Sequence, residues 1–176
     1  GATHEAFEAF DSYFPAAGIE YYYYDQLGSA YSDQPDEPEL WEIPRFVDEV
    51  EQVRVALGLT KGNFVLYGQS WGGILAIEYA LAHGENLKGL VIPHMISSIP
   101  AYNEMLRSLA RINKAIYVPM QGPSEMGASG KLERWDRSGD LPRIATPTLV
   151  IGAQHDTMDP KHMEWMATQF PRGRFL

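Results

Sequence analysis

The spacing of apolar residues changes sharply in the first half of the chain. Phe64-Val65-Leu66-Tyr67 is a short apolar run without polar alternation, which predicts a strand buried on both faces that stops at Gly68. From Trp71 onward Ile74, Leu75, Ile77, Tyr79, Ala80 and Leu81 recur at helical spacing, so a helix starts within about five residues of the strand's end. Upstream, Phe7, Phe10 and Phe14 share one helical face in residues 4–14, and Pro15 and Gly18 end that helix. Ile19 to Tyr24, with four consecutive tyrosines, has strand composition, its rings alternating between faces as packing groups. Asp25 to Ser29 then turns the chain, and residues 30–40, with Pro35, Pro38 and several acids, form an exposed loop. A helix over Ile43–Leu57 turns Phe46, Val47, Val50, Val53 and Leu57 inward and leaves Asp48, Glu49, Glu51 and Arg54 in solvent; Gly58 closes it.

Beyond the central helix, Gly84 is a candidate C-cap and Leu87 to Ile92 reads as a strand. Residues 101–112 predict a helix with Met105, Leu106, Leu109 and Ile112 inward, and 119–130, rich in Gly, Pro and Ser, predict irregular chain. Pro147 to Gly152 is a third apolar strand, residues 161–169 look helical, and Arg174-Phe175-Leu176 begins another strand. This alternation predicts an α/β fold whose mostly parallel sheet carries helices on both faces.

Composition narrows the function more than the fold. With 176 residues and 45% hydrophobic content the chain can bury a substantial core. A net charge of −9 from dispersed acids argues against nucleic-acid partners, which need a basic stripe. No apolar run approaches the roughly eighteen residues of a membrane span, and no basic-then-apolar leader opens the chain, so no membrane association and a cytoplasmic location are expected, with the periplasm as the alternative. The absence of cysteine excludes thiolate catalysis, thiolate metal sites and disulfides. His155, Asp156 and Asp159 have metal-like spacing, but loop carboxylates without a second histidine more often make turns, so no metal is expected; no phosphate-binding glycine loop is present either.

The candidate chemistry sits where the periodicity switches. Gly68-Gln69-Ser70-Trp71-Gly72 fits G-x-S-x-G between strand and helix, the context of a nucleophile elbow, with Gly68, Gly72 and Gly73 as small flanking residues. This turn would present the Ser70 hydroxyl at the strand's carboxyl end and set the Trp71 N–H, at a helix N-terminus, beside a developing oxyanion. The plainer alternative is that Ser70 only caps the helix. A serine nucleophile needs a base, and the base a carboxylate; after such an elbow the chain order is serine, acid, histidine. Asp156, just past the third apolar strand, fits the acid, whereas Asp159 before Pro160 fits a turn. His155 adjoins the acid, His162 follows it by six residues, and His4 and His83 look like surface residues. His94, just after a strand end, is the one alternative base, although it precedes the acid. The expectation is therefore that the base lies beyond Leu176 and that the chain is incomplete.

These residues resemble the proline iminopeptidases and related amino-acid amidases of the α/β-hydrolase fold. Gly68-Gln69-Ser70-Trp71-Gly72-Gly73 looks like their nucleophile motif, Tyr24-Asp25-Gln26-Leu27-Gly28-Ser29 is similar to their Asp-Gln-x-Gly-Ser stretch, and Gly152 to Asp156 resembles the strand end that bears their acid. The resemblance implies a serine exopeptidase that releases an N-terminal residue, usually proline, from small peptides with a free N-terminus through an acyl-enzyme, with no metal or organic cofactor. It also implies Glu125, in Gly122-Pro123-Ser124-Glu125, as the carboxylate that holds the substrate amine, and Gly1 as at best the last residue of the loop giving a second oxyanion N–H. Only 55 residues lie between Ile92 and Thr148, too few for a full helical cap, so the cap is expected to be largely absent. The expected division is residues 1–92 as the N-terminal part of the core, 93–130 as a cap remnant and 131–176 as the C-terminal part. An esterase or amidase for substrates without a free amine, and a catalytically silent binding module of the same fold, are the alternatives.

Overall fold

Val65–Tyr67 (β1), Gly89–Pro93 (β2), Thr148–Ile151 (β3) and Gly173–Phe175 (β4) pair side by side in chain order, every pair parallel. The helices are Ile43–Ala56 (α1), Trp71–His83 (α2), residues 99–105 (α3) and Pro160–Gln169 (α4). The structure, a computed structural model, describes residues 3–105, 130–154, 156 and 158–176. These fall into two units, Gly1–Leu57 and Gly58–Leu176.

In the first unit the phenylalanine-rich segment is helical, as its spacing predicts, but it winds as a 3₁₀ helix over His4–Ser12. Its rings stack on one another, Phe10 on Phe14 at 4.8 Å between centroids. The tyrosine run departs from its predicted strand. Residues 19–24 join no ladder among the described strands, and a strand without a partner leaves its backbone groups unpaired. The phenols make local bonds instead: Tyr21 and Tyr23 donate to Asp11 Oδ1 at 2.8 and 3.0 Å, and Tyr23 also to the Phe7 carbonyl at 2.8 Å. Loss of hydration and the bond to Asp11 push the Tyr23 phenol up to about 12.

Helix α1 keeps its predicted start and end within one residue. Pro44 occupies its first turn, and Gly58, at φ 65°, supplies the left-handed residue that ends it. Phe46, Val47 and Val50 are buried, whereas Leu57 is exposed because it lies past the helix's last turn. Glu49, expected in solvent, is instead half-buried: its Oε1 accepts the Leu27 N–H at 3.0 Å and its Oε2 pairs with Arg45 one turn back. A solvated-face pattern cannot reveal that a neighbouring loop needs an acceptor.

The second unit is built on the sheet. Helix α2 packs on β1 and β2, and α4 packs on β3 and β4. Because α2 is apolar nearly all round, it is buried on most sides, with Ile77 and Tyr79 fully inaccessible. Leu90, Ile92 and Val150 from the two central strands complete that core with Met163 and Met166 of α4. Each such side chain contributes about 1.5–3 kcal/mol by leaving water. The elbow strand differs from expectation: Phe64 is buried, but Val65 and Tyr67 are 50% and 37% exposed, since β1 is the edge of this sheet and its residues alternate. Gly84 ends α2 in a right-handed conformation and leads directly into a 3₁₀ turn, not a left-handed cap.

Between β2 and β3, residues 130–143 are bolted to the core by polar contacts. Glu78 of α2 accepts from Trp135 Nε1 at 2.7 Å and from Arg137 Nε and Nη2 at 2.6 and 3.0 Å. Ser98 and Asp136 form an antiparallel bridge reinforced by Ser98 Oγ donating to Asp136 Oδ2 at 2.8 Å. This fastening holds Leu132 against the same pocket as Ser70. The predicted helix over 101–112 begins earlier, at residue 99; its part from 106, and the irregular stretch up to 129, lie outside the described residues. Among the described residues no helix is long and apolar enough to cross a membrane.

Candidate active site

The carboxyl ends of β1, β2 and β3 each carry one polar side chain of interest. After Tyr67 the Gly68 N–H still donates to Val91 O at 3.0 Å, and within two residues the chain enters α2. Space for so tight a turn comes from glycine. A Cβ on Gly68 would lie 2.1 Å from the Gly72 carbonyl oxygen, and one on Gly73 would lie 2.7 Å from Met95 Cβ. Gly72, grouped with them by the motif, has open space where its Cβ would be. Ser70 is held at φ 54°, ψ −120°, a conformation that side chains other than glycine's rarely adopt. Its carbonyl accepts the Gly73 N–H at 2.8 Å, its side chain is exposed, and it makes no capping bond. Trp71 is the first residue of α2, so its N–H lies at the positive end of that helix.

One strand over, β2 ends at Pro93 and His94 follows with φ 50°, the second strained non-glycine residue of this unit. Its N–H donates to Ile151 O at 3.0 Å, carrying the ladder to β3. Past β3, Asp156 is positioned by its own turn: its N–H donates to Ala153 O at 3.1 Å and its Oδ1 accepts the Met158 N–H at 3.0 Å. Its other oxygen, Oδ2, bonds Nδ1 of His94. The carboxylate is 5% exposed and the imidazole 42%, so the acid is sheltered while the ring reaches solvent. A carboxylate oxygen accepts, so Nδ1 is the donor of this bond. Asp159 does what its place before Pro160 suggests: it caps α4 by accepting the Lys161 N–H at 3.0 Å.

A pocket of about 230 Å³ joins these strand ends. Ser70 and Trp71 form one wall, Met95, Ile96 and Ile99 another, and Met158 closes it from the Asp156 side. Its lining is mixed, with Tyr102 and the Ser70 hydroxyl among the Ile and Met side chains.

The remaining described histidines have partners of their own. His4 Nδ1 bonds Asp25 Oδ2 at 2.7 Å, and the His83 ring lies tilted against Tyr79 at 5.2 Å between centroids; both are half-buried, not surface residues. On α4, His162 Nε2 meets the buried Ser97 Oγ at 3.1 Å, and that hydroxyl meets Ser138 Oγ at 2.9 Å. Burial holds the His162 imidazole below its usual range, against the opposing pull of Asp159 and Asp136. His155, Glu125 and Gly1 lie outside the described residues. The structure thus brings Asp156 to His94, the histidine kept from the sequence as the alternative to a base beyond Leu176. The signal available in the sequence was position alone, since His94 follows an apolar strand just as Ser70 and Asp156 do.

A parallel sheet with helices on both faces, a strained serine turn between strand and helix, and an acid past a later strand define an α/β hydrolase; the family described as alpha/beta hydrolase fold matches residues 1–122. The proline iminopeptidase of Elizabethkingia meningoseptica is 42% identical over 229 aligned positions, covering 99% of this chain and 77% of that protein. The chain belongs to the proline iminopeptidase family. A second relative, the proline iminopeptidase of Flavobacterium johnsoniae, is 41% identical with 99% and 77% covered. Among solved structures, the crystal structure of VinJ matches with a TM-score of 0.81 and 25% identity over 99% of this chain and 77% of that one. The first alignment has 229 positions against the 176 residues of this chain, so at least 53 positions of that relative face no residue here.

Proposed function

We propose that the chain is a serine exopeptidase that releases an N-terminal residue, preferably proline, from short peptides. The observation that carries this reading is the Ser70 turn: an exposed hydroxyl, held at φ 54° and free of any capping role, on the wall of that pocket. Strain of this kind, about 1–3 kcal/mol, persists where the surroundings enforce it and is concentrated at functional sites.

In the proposed reaction Ser70 Oγ bonds to the carbonyl carbon of the substrate's first residue while its proton passes to an imidazole held by Asp156. The carbonyl oxygen becomes an oxyanion beside the Trp71 N–H at the start of α2. The imidazolium then protonates the leaving nitrogen, the C–N bond breaks, and the shortened peptide departs. Water enters by the same base, splits the ester and returns the proton to Ser70. The methylene edge of an N-terminal proline ring suits the wall formed by Ile74, Met95, Ile96 and Met158, where it gains burial, while the ring nitrogen, which is the charged amine, needs a carboxylate partner. Glu125 is proposed to bind the substrate ammonium, and Gly1 to lie at the second oxyanion donor. The excess positions of the relatives fit a larger cap entering between β2 and β3, the longest connection in the sheet.

The test compares prolyl p-nitroanilide with its N-blocked form and with an acyl p-nitrophenyl ester, using the unmodified protein and Ser70→Ala. Hydrolysis of the free-amine prolyl substrate that disappears in Ser70→Ala supports the proposal. Equal turnover of the blocked substrate would favour the esterase or amidase reading and remove the role given to Glu125.

A further inference from the structure

We infer that Glu78 is a positioning residue for substrate selection, holding in place the part of the Ser70 pocket that Leu132 supplies. The inference rests on the exopeptidase reading of that pocket and adds to it a residue outside the lining. Glu78 is the only acid on α2, and its side chain is 12% exposed on a helix otherwise almost wholly apolar. A carboxylate so placed is costly unless its oxygens are bonded. Here they are. Oε1 accepts from Trp135 Nε1 at 2.7 Å and from Arg137 Nε at 2.6 Å, and Oε2 accepts from Arg137 Nη2 at 3.0 Å.

The local backbone explains why two residues share one carboxylate. The Ile99 N–H donates to the Trp135 carbonyl at 2.9 Å and the Arg137 N–H donates to the Ser97 carbonyl at 2.8 Å, on either side of the Ser98–Asp136 bridge. Residues 135–137 therefore run as a short extended piece against 97–99, and side chains two apart in such a piece point the same way. Trp135 and Arg137 both meet Glu78, while Asp136 between them accepts from Ser98 Oγ.

The limb so fastened carries pocket lining. The Trp135 N–H donates to the Leu132 carbonyl at 2.9 Å, at the end of the 3₁₀ turn Gly130–Leu132, so the residue whose indole is held by Glu78 also holds Leu132. Leu132 lines the pocket with Ser70, Trp71 and Ile74. Trp71 and Ile74 lie in the first turn of α2, and Glu78 follows Ile74 by four residues, on the same helical face. One helix thus presents the Ser70 turn, a stretch of pocket wall and, one turn further on, the anchor of another stretch. A wall residue touches the apolar part of the substrate's first residue equally before and during bond making, so its release weakens binding and leaves the chemical step alone.

The experiment uses Glu78→Gln, which keeps the side-chain size but turns one oxygen into an amide that cannot accept from Arg137, and Trp135→Phe, which removes only the indole donor. KM for prolyl p-nitroanilide should rise about tenfold in Glu78→Gln and about threefold in Trp135→Phe, with kcat within threefold of the parent. The preference for prolyl over leucyl p-nitroanilide should fall by about the same factors. Backbone hydrogen exchange read by mass spectrometry should quicken at residues 130–137 and stay unchanged at residues 148–151 and 160–169. Should Glu78→Gln lose its cooperative thermal transition, Trp135→Phe decides alone. A KM within twofold of the parent despite faster exchange, or a fall in kcat at unchanged KM, overturns the assignment while leaving Ser70 and its pocket in place. Unchanged exchange at 130–137 overturns the anchor itself. A parent that turns over no prolyl substrate, or a Ser70→Ala protein that does, brings down the exopeptidase reading, and Glu78 as a residue of substrate selection falls with it.

Discussion

The motif treats its two glycines alike, but the structure does not, and the difference is measurable. Replacing Gly68 by alanine places a Cβ 2.1 Å from the Gly72 carbonyl oxygen and 2.6 Å from its carbon. Ordinary contact begins at 3.4 Å, so the strand end and the first turn of α2 must part by more than an ångström. The obstacle is backbone, which cannot swing aside as a side-chain tip would. Ala76 adds a second clash at 2.8 Å from inside the core. Overpacking against unyielding atoms of this kind destabilises by about 3 kcal/mol, the upper part of the usual range. For a chain of this size that lowers Tm by about 6–12 °C. Gly72→Ala meets nothing within 4 Å and lies in the first turn of a helix at ordinary φ, so it should stabilise by about 0.5–1 kcal/mol, or about 1–4 °C, through reduced freedom of the unfolded chain. Urea and thermal unfolding of the two variants, followed by circular dichroism, decide the matter. If Gly68→Ala unfolds within 1 °C of the parent, or Gly72→Ala is as damaged as Gly68→Ala, the steric account of the elbow is wrong.

Two further outcomes follow from the same geometry. Ser70→Gly should abolish hydrolysis yet raise stability by about 1 kcal/mol, because glycine adopts φ 54°, ψ −120° without strain; a variant less stable than Ser70→Ala would contradict the strain. His162 titrates below its usual 6.5 in the folded chain because burial disfavours its charged form, so the unfolded chain takes up the proton first. Its stabilising contribution is therefore complete above about pH 6.5 and is lost as pH falls from there toward the lower folded value. His162→Gln, which can still meet Ser97 but cannot charge, should show a flatter fall in Tm between pH 7 and 5, and identical slopes in both proteins would refute it.

What could be read from the chain was what neighbours in sequence decide. The apolar runs of β2 and β3, the helical spacing of α2 and α4, and the glycine-flanked Ser70 turn are local patterns, and each element formed within a residue or two of its predicted place. Residues 19–24 show the limit. Their composition suits a strand, but a ladder needs a second strand, and no described one pairs there. The half-burial of Glu49 and the exposure of Val65 depend likewise on what lies across from them. The site divides along the same line. Ser70 and Asp156 were legible because each follows a recognisable strand, while the bond between His94 and Asp156 spans 62 residues and leaves no local trace. In this sheet every described connection steps to the next parallel strand, so order along the chain is order across the sheet. His94, which directly follows β2, is thereby set between the chain ends that directly follow β1 and β3, whereas His83, at the far end of α2, is not.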